Sequence, residues 1–279
     1  VTTFYRVSGA GNDFIALVEQ PLPAPEQVRA WCRRGLSIGA DGLFVLAPAA
    51  AGSVRMIHFN ADGGEAALCI NGTRCAARLA VELGWARADG SVTIETGAGP
   101  LSARRQGPTE IALEVPPPSR PVADRIVDLE GRRIAARFVT VGVPHLVVDC
   151  PEGVAAAPVA ELGSRLRHHP DFAPAGTNVD FAAWAAPGRL EIRSFERGVE
   201  AETLACGTGV LAAVAAGLAA GRASLPVRAT TRGGFVLSVG GVAEGGGVRS
   251  WSLAGDARIV AEGRLRPEAE GLPASPPWG

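Results

Sequence analysis

Two stretches decide how this chain is read: Cys69-Ile70-Asn71-Gly72-Thr73-Arg74-Cys75 and Ala205-Cys206-Gly207-Thr208-Gly209. Each sets a cysteine one to three residues before a glycine and runs directly into an alanine-rich helical pattern, over residues 71–83 in the first case and 207–220 in the second. An offset of 137 residues carries Cys69 onto Cys206, and the same step carries Asp41 onto Asn178, Asn60 onto Arg197, Gly84 onto Gly221 and Gly97 onto Gly234. Such spacing points to an internal duplication, with one cysteine at the start of one helix in each copy. Two copies that face each other bring the two thiols face to face.

Outward from these stretches the pattern repeats. Residues 4–19 read as strand, glycine turn and strand, with the turn at Ser8-Gly9-Ala10-Gly11-Asn12-Asp13. A short helix over 25–35, strands over 43–46 and 54–59, the first cysteine helix, a hairpin over 92–104 and a strand over 111–115 follow. After Pro116-Pro117-Pro118 the order recurs, with strands over 137–140 and 146–149 flanking Gly142, a helix over 158–167, strands over 179–184 and 190–195, the second cysteine helix and a second hairpin. The proline run sets the expected boundary. It divides the chain into residues 1–118, joined by the C-terminal segment 263–279, and residues 119–262; Gly245-Gly246-Gly247 reads as a turn and the tail from Pro267 as loosely ordered. The helix from Val210 is apolar on every side, which predicts burial all round and a sheet curled about it. The expected fold class is α/β (α+β), with two pseudo-symmetric domains, each a curled mixed sheet around a central helix.

Composition narrows the function. A net charge of −1 over 279 residues provides no basic field for nucleic acid or an anionic membrane, so a small molecule is the expected partner. No run approaches the ~18 apolar residues of a membrane span, and Val1 to Val7 lacks a signal pattern, so a soluble cytoplasmic protein is expected. Five cysteines without a C-x-x-C, and four histidines without ligand spacing, argue against a disulfide framework or a bound metal. All 27 basic residues are arginine. Without lysine there is no Schiff base for pyridoxal phosphate, and no cofactor is expected.

The cysteine stretches suit proton transfer at a carbon. A helix N-terminus presents unpaired N–H groups and positive partial charge, which hold a carboxylate and favour its enediolate-like form. The same charge lowers the pKa of a thiol at that end. One thiolate can then take an α-proton while one thiol returns another from the opposite face, which inverts the centre. Asn12 and His145 lie in matching glycine turns, 133 residues apart, and Glu196-Arg197 offers charges of both signs for an amino acid.

At these residues the chain closely resembles the diaminopimelate epimerase family. The resemblance is carried by Gly9-Ala10-Gly11-Asn12-Asp13-Phe14, Asn60-Ala61-Asp62-Gly63, the first cysteine stretch, Gly142-Val143-Pro144-His145, Gly176-Thr177-Asn178-Val179, and Glu196-Arg197-Gly198 through the second cysteine stretch. It implies a cofactor-independent epimerase acting on LL- and meso-2,6-diaminopimelate, with the site in the cleft between two similar domains, and a homodimer. It further implies Cys69 and Cys206 as the acid–base pair, with His145 and Glu196 tuning them or holding substrate. Asn12, Asn60, Asn178, Glu196 and Arg197 would grip the amino acid, and Ile70, Asn71, Gly207 and Thr208 would surround the reacting carboxylate, the last three through backbone N–H groups. Ile70 stands where the family has glycine, which predicts a shifted anion-holding turn or a narrowed pocket. Gly42 and Val143 replace a glutamine and an asparagine common in the family, which removes two side-chain donors. The alternatives are a racemase of the same fold acting on another amino acid and, in another class, a thiol redox sensor.

Overall fold

The computed structural model describes residues 2–119, 121–244 and 247–270. Gly245, Gly246 and the tail beyond 270, for which a turn and loose order are expected, lie outside the described residues. Contacts divide the chain into two compact units: residues 1–111 with 257–279, and residues 112–256. The divisions fall several residues before the expected 118 and 262. Pro116 does end a strand, β8 (Glu110–Val115), but the unit boundary lies within that strand.

The first unit is built on β1 (Thr3–Gly9), β2 (Asn12–Val18), α1 (Pro25–Cys32), β3 (Gly42–Pro48), β4 (Ser53–Asn60), β5 (Glu65–Ala66), α2 (Ile70–Glu82), β6 (Ser91–Thr96) and β7 (Gly99–Arg105). Successive side chains on a strand face opposite ways. Ile15, Leu17, Leu43, Val45 and Phe59 therefore share one face, where they pack with Val28, Trp31 and Cys32 of α1. Phe14, Phe44, Met56 and His58 lie on the other face, toward α2, which touches β1, β2, β4, β6 and β7. The sheet is layered between two helices.

The second unit repeats this plan. β10 (Arg132–Val141), β11 (Val143–Asp149), α3 (Val159–Arg167), β12 (Asn178–Ala186), β13 (Arg189–Glu196), β14 (Ala201–Thr203), α4 (Gly207–Ala219), β15 (Val227–Thr230) and β16 (Val236–Glu244) follow in the same order. Pairing directions also match: antiparallel, parallel, antiparallel across β1–β4 and again across β10–β13. Leu146, Val148, Val179, Phe181 and Phe195 pack with Val159, Leu162 and Leu166 of α3. α4 is buried from Gly209 to Gly217 and touches β10, β11, β12, β13 and β16, as its apolar surface predicts. Each cysteine helix ends at a glycine with positive φ, Gly84 (74°) and Gly221 (66°), where a Cβ would be strained.

Strand registers correct the uniform offset. The offset of 137 holds for the helices, but Gly42↔Asn60 on β3–β4 corresponds to the pairing of Asn178 with Glu196 that follows from Val179↔Phe195 on β12–β13. His145 pairs with Asn178 as Phe14 pairs with Gly42, so Phe14, not Asn12, is the ladder counterpart of His145. The second turn is also one residue shorter. Two residues separate paired Gly9 and Asn12, whereas only Gly142 separates paired Val141 and Val143.

β9 (Ala123–Leu129), β17 (Gly247–Asp256) and β18 (Arg258–Arg264) have no counterpart in the sequence reading. β18 pairs antiparallel with β1, which returns the chain to the first unit. Among the described residues no helix is long and apolar enough to cross a membrane, and no cluster of three His, Cys, Asp or Glu side chains is placed to hold a metal.

Candidate active site

In the first unit Cys69 is the N-cap of α2, and its Sγ accepts from the Gly72 N–H at 3.5 Å. A sulfur in this position faces the positive end of the helix. Ile70 is the first helical residue, buried and without a positive φ, so the change from glycine demands no backbone shift. Asn71 donates from Nδ2 to Asn12 Oδ1 at 2.5 Å and accepts from Arg74 at 2.6 Å. Asn12 in turn donates to Asp41 at 3.1 Å, so both ends of its amide are held within the unit. Asn60 ends β4 with an exposed side chain. Gly42, opposite it, has no room for any side chain. A Cβ there would lie 2.7 Å from the Phe59 carbonyl oxygen and 3.2 Å from the His58 ring, which itself packs edge-on against Phe14. Burial pushes the His58 pKa down to about 4, so that ring is neutral.

In the second unit the α4-facing side of the sheet is polar. Side chains at alternate strand positions place His145, Asn178 and Glu196 in one row across β11, β12 and β13, with Asp180 and Ser194 in the next. His145 Nδ1 lies 2.7 Å from Asp180 Oδ2, and Ser194 Oγ donates to Asp180 Oδ1 at 2.6 Å. The Arg197 N–H donates to Asn178 Oδ1 at 2.7 Å. Glu196 accepts from Thr203 Oγ1 and from Cys206. Cys206 is the N-cap of α4, with its Sγ 3.5 Å from Thr208 Oγ1. Gly207 and Thr208 open the helix.

These neighbours correct one expectation. Helix position alone predicts a lowered Cys206 pKa, yet burial, followed by the negative charges of Glu196 and Asp180, pushes the thiol well up, and the Thr208 hydroxyl and Gly209 N–H do not offset this. Cys206 is held as a thiol. Burial likewise raises Glu196, despite the bonds from Thr203 and Cys206 that favour its charge.

The raised Glu196 pKa has a consequence for stability. Unfolded Glu196 loses its proton near its ordinary 4.5, before the folded protein does, so this residue's contribution falls as pH rises from there toward its folded value. Glu196→Gln removes that slope. Melting temperatures from pH 4 to 8 are expected to shift in the variant's favour as pH rises through this window; a constant difference from wild type contradicts the assignment.

Asp180, Ser194 and Thr203 were not singled out in the sequence. Asp180 sits inside the apolar run Val179–Trp184, and only its strand parity with Asn178 marks it. Cys32 and Cys75 are buried core residues, and burial pushes the Cys32 thiol up to about 12.

The fold is shared with a solved structure. The solved structure of a probable proline racemase from Agrobacterium radiobacter K84 is similar with a TM-score of 0.72 at 18% identity, covering 98% of this chain and 96% of that one. Sequence comparison is narrower. A family model described as Diaminopimelate epimerase matches residues 4–116 and 137–246. A diaminopimelate epimerase from Gemmatimonas aurantiaca is 40% identical over 219 residues, 75% of this chain and 77% of the relative. One from Aquifex aeolicus is 34% identical over 280 residues, 95% of this chain and 98% of the relative. The chain belongs to the diaminopimelate epimerase family.

Proposed function

We propose that this protein interconverts LL-2,6-diaminopimelate and meso-diaminopimelate by proton transfer between Cys69 and Cys206, without a cofactor, as a cytoplasmic homodimer. The observation that carries the reading is that each unit caps its central helix with a cysteine. Cys69, whose sulfur accepts from a helix N–H, is the base. Cys206, kept as a thiol by burial and two carboxylates, is the acid at rest. His145 and Glu196 tune the pair. Asn12, Asn60, Asn178 and Arg197 grip the substrate, and the N–H groups of Asn71, Gly207 and Thr208 receive the reacting carboxylate.

The test is isotopic. Reduced protein incubated with LL-diaminopimelate in D₂O is expected to place deuterium on the α-carbon as meso product forms. Turnover of proline, histidine or glutamate with none of diaminopimelate would reject the substrate and leave a racemase of the same fold. No exchange with any of them would reject the enzyme reading, and formation of a Cys69–Cys206 disulfide with oxidised glutathione, reversed by added thiol, would favour a redox sensor.

A further inference from the structure

The interior of the second unit holds an ion-capable pair that the two-thiol chemistry does not use directly. His145 and Asp180 are both 0% exposed, and their side chains meet at 2.7 Å. Asp180 is confined on its other oxygen. Ser194 Oγ donates there at 2.6 Å, and a Cβ at Gly209 would fall 2.3 Å from the same atom, so the carboxylate is pressed against the first turn of α4.

The other side of the imidazole is set by a backbone group. Because the Arg197 N–H donates to Asn178 Oδ1 at 2.7 Å, the amide is oriented with Nδ2 toward His145, where it lies 3.4 Å from Nε2. An amide nitrogen only donates, so Nε2 is the acceptor, and the tautomer that fits these neighbours carries its proton on Nδ1, facing Asp180. Histidine tautomers follow from such neighbours. Within this unit Asp180 on β12 lies against His145, and Glu196 on β13 interacts with it through charge.

We infer that Asp180 is a positioning residue for the proposed reaction: anchored by Ser194 and the Gly209 turn, it holds His145 as the Nδ1–H tautomer and so fixes Nε2 as the ring's acceptor. The inference rests on the reading that His145 tunes a catalytic cysteine. A carboxylate that fixes the ring in this way acts through orientation, and its loss removes the fixed tautomer without removing a substrate contact.

The experiment uses the full chain labelled with ¹⁵N-histidine. Only four histidines are present, and a His145→Gln variant identifies the His145 signals in long-range ¹H–¹⁵N spectra. Wild type is expected to show a protonated Nδ1 and an unprotonated Nε2. Asp180→Ala is expected to mix the tautomers and to lower kcat about 10-fold to 100-fold with KM changed far less. Ser194→Ala, which leaves the carboxylate in place, should retain the tautomer. A wild-type proton on Nε2 overturns the inference even if Asp180→Ala does not fold, and so does a folded Asp180→Ala with wild-type tautomer and kcat. Deuterium uptake measured on the same wild-type sample separates the two readings. Uptake with the wrong tautomer sinks only the role of Asp180, whereas absent uptake with Nδ1–H sinks the epimerase reading.

Discussion

Cys206→Ala is expected to lower epimerisation by about 10³-fold, the scale of a positioned acid or base, with the fold intact. The substitution removes a small side chain 6% exposed at a helix N-cap, so the strands and α4 have little reason to rearrange. What disappears is the proton. In wild type the thiol is kept protonated by burial beside Glu196 and Asp180, and in the proposed mechanism it reprotonates the carbanion from its side. The Thr208 hydroxyl, 3.5 Å from the sulfur, is too weak an acid to take its place. The measurement is kcat from both LL and meso substrates, alongside the melting temperature. A folded variant that keeps a tenth or more of wild-type turnover would remove Cys206 from the mechanism.

The second large effect is structural. Gly209→Ala is expected to destabilise the protein by about 3 kcal/mol through overpacking, a fall in melting temperature of roughly 6–12 °C. The added Cβ would lie 2.3 Å from Asp180 Oδ1, 3.0 Å from its Cγ and 3.1 Å from Ser194 Oγ. None of these atoms belongs to a free side-chain end. Asp180 can retreat only by stretching its contacts with His145 and Ser194 in a sealed interior. The first unit supplies the control. At Gly72, the residue that matches Gly209 in α2, a Cβ would meet Met56 Cε at 3.3 Å, and the end of a methionine can move aside. Gly72→Ala should therefore cost less than about 1 kcal/mol. Equal losses at the two positions would show that the crowding against Asp180 is not what requires glycine.

Much of this arrangement was legible from residue order. The central helices announced themselves through alanine content and terminal glycines, and the all-apolar stretch from Val210 placed α4 inside a curled sheet. What stayed hidden depended on pairing rather than composition. β5 and β14 are two and three residues long, lie in polar loops and exist because β4 and β13 offer them partners. β18 is largely exposed, with little apolar alternation, and only its ladder with β1 makes it a strand. The cysteines could be found because a helix start has a local signature. Asp180 could not, since its role arises from lying across from Ser194 on one strand and diagonal to His145 on another.

The paired registers also show how far the copies have parted. Where the second unit sets His145, Asn178 and Glu196, the first sets Phe14, Gly42 and Asn60; behind them Asp180 and Ser194 stand where Phe44 and His58 fill space with rings. On these rows the second unit carries a buried polar network, whereas the first is largely packed with rings. The symmetry therefore survives in the backbone and in the two helix-capping cysteines, while the rows beside them have diverged.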